Sequence, residues 1–132
     1  GDSPVIFPVH PRTKKILDGI GFNNQRLILA EPMPYLEFIY LVKNALAIIT
    51  DSGGITEEAT VLAVPCMTMR DSTERPETVT LGSNELIGTA PEKLVPFLDK
   101  VMQGKWKKGG VPPLWDGHTA ERIVAKLTDL YE

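Results

Sequence analysis

The segment from Thr50 to Glu58 (TDSGGITEE) carries residues whose types and spacing could do chemistry. An apolar run ends here, Ser52 is followed by Gly53 and Gly54, and a helical pattern begins. Glycines let backbone N–H groups approach an anion, and a helix N-terminus adds unpaired donors and a partial positive charge. The spacing therefore indicates a phosphate-binding turn. The same residue types are also common in ordinary turns and helix caps, and this alternative stays open.

Glu58 lies near the end of the first turn of the predicted helix, where a carboxylate can reach a group beside a bound anion. A carboxylate accepts hydrogen bonds from both hydroxyls of a vicinal diol, so a ribose next to a diphosphate would suit Glu58. For the neighbouring Glu57, complementing the helix dipole is a sufficient explanation.

A second charged stretch, Met69–Glu77 (MRDSTERPE), leaves the carboxyl end of the next predicted strand. Carboxyl ends of parallel strands share one rim of the sheet, so this stretch should lie near the Ser-Gly-Gly turn. Arg70 and Arg75 could bind phosphate through their planar guanidinium groups. Acidic neighbours in the same stretch could pair with them instead.

Short apolar runs alternate with helical patterns along the chain. We predict strands at Val5–Val9, Leu27–Leu29, Ala45–Thr50, Val64–Met69 and Asn84–Gly88. We predict helices from Pro34, after Gly54, from Pro91 to about Met102, and from Thr119 to about Leu130. The first and third strands should be buried, the third on both faces. This alternation predicts an α/β, Rossmann-like three-layer domain with a parallel sheet over residues 1–132.

Composition narrows the classes of partner. The 132 residues carry a formal net charge of -3, which argues against nucleic acid or an anionic membrane as the main partner. No apolar run approaches the ~20 residues that span a bilayer, and a cytoplasmic location fits. The single cysteine, Cys66, should be a buried thiol, and no metal site is expected. Lys105–Lys108 (KWKK) is interpreted as a solvated loop, with a partner contact as the alternative.

The central motifs resemble those of a known family. Asp51–Ala59, then Pro65, then Met69–Glu77 is similar to the hallmark of non-hydrolysing UDP-N-acetylglucosamine 2-epimerases. Phe7–Pro11 and Asp116–Gly117 resemble further elements of that family in the same order, so the resemblance covers nearly the whole chain. It implies that the chain is the UDP-binding C-terminal half of a glycosyltransferase-B-type, two-domain architecture.

The resemblance also implies roles for individual residues. Ser52, Gly53 and Gly54 would hold the diphosphate, and Glu58 would hold the ribose hydroxyls. Arg75 would stabilise the diphosphate as the leaving group.

Two upstream residues match further positions of the family. Phe38 corresponds to an aromatic residue that packs against uracil, although its periodicity alone is typical of ordinary core. His10 corresponds to a residue that helps to bind a second sugar nucleotide as an activator, and a turn histidine is the alternative.

The implied reaction interconverts UDP-N-acetylglucosamine and UDP-N-acetylmannosamine by elimination and re-addition of UDP. It needs no cofactor, and its catalytic carboxylates belong to an N-terminal domain that this chain lacks, so the chain alone should be inactive. Expected partners are the UDP-sugar, that domain, and a second copy in a full-length homodimer. Without the N-terminal domain, the apolar face of the last helix should be exposed and favour self-association.

Three other interpretations stay open. The chain could belong to a hydrolysing epimerase, which releases free N-acetylmannosamine. It could belong to a glycosyltransferase of the same two-domain architecture. It could also be a self-sufficient UDP-binding regulatory module.

Overall fold

The computed structural model describes residues 3–21 and 23–131. The chain divides into two compact units, Gly1–Leu41 and Val42–Glu132. The strands described in each unit pair in parallel, and helices follow them in sequence. The predicted α/β class with parallel strands is therefore confirmed.

The first unit contains a two-stranded parallel sheet. Its elements are β1 (Val5–Pro8), α1 (Pro11–Gly19), β2 (Leu27–Ala30) and the greater part of α2 (Tyr35–Asn44). The register places Val5 opposite Leu27 and Pro8 opposite Ala30. Helix α1 was missing from the sequence-based expectation because its sequence, PRTKKILDG, has too few apolar residues to show a helical stripe.

The second unit is built on a three-stranded parallel sheet of order β3-β4-β5. Its elements are β3 (Ile48–Thr50), α3 (Gly54–Val61), β4 (Cys66–Thr68), α4 (Pro76–Thr80), β5 (Asn84–Leu86), a 3₁₀ turn (Pro91–Lys93), α5 (Leu94–Met102) and α6 (Thr119–Tyr131). Thr50 of β3 pairs with Thr68 of β4, which in turn pairs with Leu86 of β5. The carboxyl ends of the three strands therefore lie at one edge.

Burial of the strands differs from the expectation in two places. Val5, Ile6 and Phe7 are between 41% and 51% exposed, so the prediction of a buried first strand was wrong. Ile48 is buried, but Ile49 is 42% exposed, so β3 is not covered on both faces. An apolar run shows that burial is favourable, but it does not show whether another segment of the same unit supplies it.

The core of the second unit forms around β4, whose three residues are all buried. Met67, Ile87 and Val101 make up its buried cluster, and partly buried Phe97 and Trp106 pack against it.

The expectation of a solvated KWKK loop was wrong for its two central residues. The Trp106 ring meets Phe97 edge-on at 6.2 Å between centroids, and its Nε1 donates to the Ser83 carbonyl at 2.8 Å. Lys107 donates to the Val79 carbonyl and lies 3.3 Å from a Glu85 carboxylate oxygen. Both side chains therefore bind this segment back onto the second unit, through contacts that a local charge pattern cannot show.

Helix α6 carries an exposed apolar stripe. Its members, between 49% and 62% exposed, are Ile123, Val124, Leu127 and Leu130. The predicted helix and the exposure of its apolar face are confirmed, and self-association stays a prediction. Within residues 3–21 and 23–131, no helix combines the length and the apolar character that crossing a membrane requires.

Cys66 is fully buried on β4, as expected. Burial raises the pKa of its thiol to about 12. We expect the native chain to resist Ellman's reagent at pH 8 and to react rapidly in urea, since the thiolate is the nucleophile. The absorbance of released thionitrobenzoate measures both rates. Complete native labelling within the dead time of mixing would contradict this burial.

Candidate functional site

The Ser-Gly-Gly turn joins the carboxyl end of β3 to the first turn of α3. The Thr50 hydroxyl accepts a hydrogen bond from the Ser52 N–H at 3.0 Å, and this bond holds the backbone turn directly after the strand. At the helix start, the Thr56 hydroxyl donates to the Gly53 carbonyl at 2.6 Å. Gly53 is the N-cap residue and has no side chain with which to cap the helix. The first-turn N–H groups of α3 therefore depend on another acceptor, such as water or a bound anion.

The fold itself does not require glycine at positions 53 and 54. Gly53 has ordinary right-handed backbone angles (φ -72°, ψ -37°), and a Cβ at Gly53 or Gly54 would meet no described atom within 4 Å. Gly82 contrasts with them, because its Cβ would lie 2.6 Å from the Thr60 side chain and from the Thr78 carbonyl oxygen. The space over the turn is therefore open, and a ligand can use it.

Arg75 belongs to the charged loop and is the N-cap residue of α4. Its Nε donates to a Glu57 carboxylate oxygen on α3, and its Nη1 donates to the Glu74 carbonyl at 3.2 Å. The hydrogen bond to Glu57, together with its charge, raises the pKa of Arg75. The structure thus brings Arg75 to the helix that begins at the Ser-Gly-Gly turn.

Glu57 is the residue that sequence reasoning missed. The helix dipole was a sufficient explanation for its charge, and the partners considered for Arg75 were neighbours within the same loop. The signal that could have found the pair is the shared rim, since both α3 and the charged loop follow the carboxyl ends of adjacent strands. Both side chains remain partly exposed, so we assign the contact an orienting role more than a stabilising one.

Glu58 follows Glu57 on α3 and points about 100° further around the helix. It is half-buried, and it lies at the start of the second turn, one residue beyond the position expected from the sequence. Ser52 is exposed beside the turn. Five predicted site residues therefore belong to the second unit: Ser52, Gly53, Gly54, Glu58 and Arg75.

Arg70, the other arginine of the charged loop, lines a separate cavity of about 410 Å³. Lys93 and Phe97 line the same cavity. Arg75 instead contacts Glu57 on α3, so the structure places the two arginines in different surroundings.

His10 and Phe38 lie in the first unit. His10 is the N-cap residue of α1, and its Nδ1 accepts a hydrogen bond from the Arg12 N–H at 3.3 Å. This contact gives the histidine a local structural role, and its activator role stays a prediction. Phe38 is half-buried on α2, and its contact with a base also stays a prediction. Across the described residues, no group of three or more His, Cys, Asp or Glu side chains could hold a metal ion.

Comparison with known proteins identifies the family. The sequence model described as UDP-N-acetylglucosamine 2-epimerase matches residues 1–128. The chain belongs to the UDP-N-acetylglucosamine 2-epimerase family. An epimerase of that name from Methanocaldococcus jannaschii is 46% identical, over 96% of this chain and 36% of its own length.

Solved epimerase structures share the fold. A crystal structure of Methanocaldococcus jannaschii UDP-GlcNAc 2-epimerase with UDP-GlcNAc and UDP matches 97% of this chain with a TM-score of 0.79 at 46% identity. The S. aureus MnaA–UDP structure matches 96% with a TM-score of 0.81 at 29% identity. In each case the match is 36% of the solved chain. This epimerase-family chain therefore spans about a third of the length of its curated and solved relatives.

Replacing Gly54 by alanine tests whether the turn needs glycine for folding. We expect Gly54→Ala to leave the free energy of unfolding unchanged or to raise it by up to about 1 kcal/mol, the helix-propensity difference. Gly82→Ala is the matched control and should destabilise, because its methyl group collides with the Thr78 backbone. Urea denaturation measures both variants. Equal destabilisation would show that the open turn is a folding requirement.

Proposed function

We propose that this chain is the UDP-binding, C-terminal domain of a UDP-N-acetylglucosamine 2-epimerase. The observation that carries the proposal is the open Ser-Gly-Gly turn at the start of α3, with Arg75 held on the same helix by Glu57. An uncapped helix start and a guanidinium group together suit a diphosphate. Membership of the epimerase family supplies the substrate class.

In this proposal the first-turn N–H groups of α3 and the Ser52 side chain bind the diphosphate. Glu57 and the Glu74 carbonyl occupy Nε and Nη1 of Arg75, so the orientation of its guanidinium plane is fixed before the ligand arrives. Arg75 then stabilises the negative charge that grows on the diphosphate as it leaves. A preoriented cation does so without reorganising during the reaction.

The remaining site residues would recognise the nucleoside and an activator. Glu58 is proposed to accept hydrogen bonds from the two ribose hydroxyls, and Phe38 to pack against uracil. His10 is proposed to contact a second sugar nucleotide that acts as an activator. Its ring nitrogen Nε2 remains for that contact while Nδ1 caps α1.

The proposed reaction of the whole protein inverts C2 of the sugar through a glycal. A base removes the C2 proton, the electrons of that bond form the C1–C2 double bond, and the C1–O bond breaks to release UDP. UDP adds back to C1 after C2 is protonated on the opposite face, and no cofactor or metal takes part. We assign the general base and acid to the part of the protein that this chain does not span.

That remaining part is also the proposed partner of α6. Its exposed stripe offers Ile123, Val124, Leu127 and Leu130 for packing against an N-terminal domain in a glycosyltransferase-B arrangement. We further propose that the whole protein is a homodimer in the cytoplasm, where it supplies UDP-N-acetylmannosamine for polysaccharide synthesis.

Calorimetric titration of UDP into the chain tests the nucleotide site. We expect Glu58→Ala to weaken binding by about 1–3 kcal/mol, the scale for unmade hydrogen bonds to a charged group. Glu92→Ala removes an exposed carboxylate from the 3₁₀ turn and should bind as the original chain does. Equal affinities of the two variants would contradict the ribose role of Glu58. If neither the original chain nor either variant binds UDP, the chain is not a self-sufficient UDP-binding module.

A fusion of this chain to the preceding part of the Methanocaldococcus jannaschii relative tests the reaction. We expect UDP-N-acetylglucosamine in D₂O to yield UDP-N-acetylmannosamine with deuterium at C2, followed by ¹H NMR. Arg75→Ala should lower kcat by roughly 10²-fold, as when one oxyanion donor is removed. Gly110→Ala is the matched control, because no described atom lies within 4 Å of its Cβ position.

The same assay distinguishes the alternatives. Sugar transfer to an acceptor without inversion at C2 would favour a glycosyltransferase. Free N-acetylmannosamine as the sole product would select a hydrolysing epimerase.

A further inference from the structure

A buried chain of polar side chains runs through the second unit and ends on the backbone of Arg75. The Thr68 hydroxyl lies 2.7 Å from Asn84 Oδ1, and Asn84 Nδ2 lies 3.1 Å from the Thr78 hydroxyl. The Thr78 hydroxyl lies 2.7 Å from the Arg75 carbonyl oxygen. These side chains, which we call the relay, connect β4 and β5 to the start of α4.

The direction of every hydrogen bond in the relay follows from the group on which the relay ends, the carbonyl of Arg75. A carbonyl oxygen can only accept, so the Thr78 hydroxyl must donate its hydrogen to Arg75. The same hydroxyl can then only accept from Asn84, which places the amide nitrogen of Asn84 toward Thr78 and its oxygen toward Thr68. Thr68 must therefore donate. One carbonyl thus determines the amide orientation and the positions of two hydroxyl hydrogens.

The relay lies away from solvent. Thr68 is 1% exposed, and Asn84 and Thr78 are 0% exposed. In the part of the chain that the structure describes, no buried side-chain nitrogen or oxygen lacks a hydrogen-bond partner. A buried polar group that loses its hydrogen-bond partner is costly. The relay therefore strongly favours this arrangement of its side chains over any arrangement that breaks one of the hydrogen bonds.

That geometry fixes the backbone of Arg75 from both sides. Its carbonyl accepts from the Thr78 N–H at 3.1 Å as well as from the Thr78 hydroxyl, and its own N–H donates to the Thr73 hydroxyl at 3.0 Å. Glu57 then holds the far end of the side chain. The side chain of Arg75 therefore starts from a fixed backbone and ends at a fixed partner.

We propose that Thr78 and Asn84 are positioning residues for Arg75. They hold Arg75 in place to bind a diphosphate, and they do not touch the diphosphate themselves. This proposal rests on the proposed function, because it takes Arg75 as a group that binds the diphosphate of UDP. The relay begins at Thr68, whose register partner Thr50 holds the Ser52 N–H. Both parts of the proposed diphosphate site are therefore anchored at the same level of two adjacent strands.

A buried threonine outside the relay provides the matched control. Thr60 is 2% exposed, and its hydroxyl donates to the Thr56 carbonyl within α3. Thr78→Val and Thr60→Val remove the same hydroxyl from equally buried sites, so both should lose stability. Only Thr78→Val should affect Arg75, and Thr78→Ser, which restores a hydroxyl, should recover its function.

The first measurement is ¹⁵N NMR of the Arg75 Nε–H group, assigned by its disappearance in Arg75→Lys. We expect Thr78→Val to shift this signal and to speed its exchange with solvent, while Thr60→Val leaves both unchanged. Thr68→Val gives the same test at the other end of the relay if Thr78→Val does not fold. An unchanged Arg75 signal in the folded relay variant overturns the proposal, whether or not the chain binds UDP.

The second measurement is a double-mutant cycle on UDP affinity with Arg75→Ala. We expect Thr78→Val to weaken binding roughly tenfold in the original chain and to have no further effect beside Arg75→Ala. Equal, additive losses in both backgrounds overturn the proposal and leave the UDP site standing. If Arg75→Ala binds as well as the original chain, the proposed role of Arg75 fails instead, and the NMR result still decides whether the relay positions it.

Discussion

The parallel register of β3 and β4 is the constraint on which the candidate site depends. It pairs Thr50 with Thr68, and the two hydroxyls serve the two parts of the site. One closes the Ser-Gly-Gly turn by accepting from Ser52, and the other starts the relay toward Arg75. A slip of one residue would turn every side chain of β4 to the opposite face. The distance between the Ser-Gly-Gly turn and Arg75 is thus set by the register of the sheet, and not by the loops that carry them.

Polar contacts in this domain divide into two kinds with different physical effects. The Glu57–Arg75 pair is partly exposed, where solvent screening leaves an ion pair little net stabilising free energy. The relay is buried, where each hydrogen bond is strong and each missing one is costly. The exposed pair therefore orients the guanidinium group while adding little stability, and the buried network keeps the backbone beneath it in place.

Local sequence patterns predicted the features of the structure that depend on residues close together in the chain. The break after Thr50, a helical segment beginning at Pro91 and the stripe of α6 were all evident from residue types and spacing. The partners of Glu57 and Trp106 were not, because they depend on residues 18 and 23 positions away. The relay escaped for a similar reason, since threonine and asparagine carry no apolar signal although they are fully buried here.

The open space at Gly53 and Gly54 has a consequence for how such sequences can drift. Folding places no steric demand on either position, whereas Gly82 meets the Thr78 backbone and must stay small. A descendant that no longer needs the proposed diphosphate site could exchange the first two glycines for alanine without a steric clash and would still keep the third. Among divergent members of the family, loss of this glycine pair beside a retained Gly82 would therefore mark domains that still fold but no longer use the proposed diphosphate site.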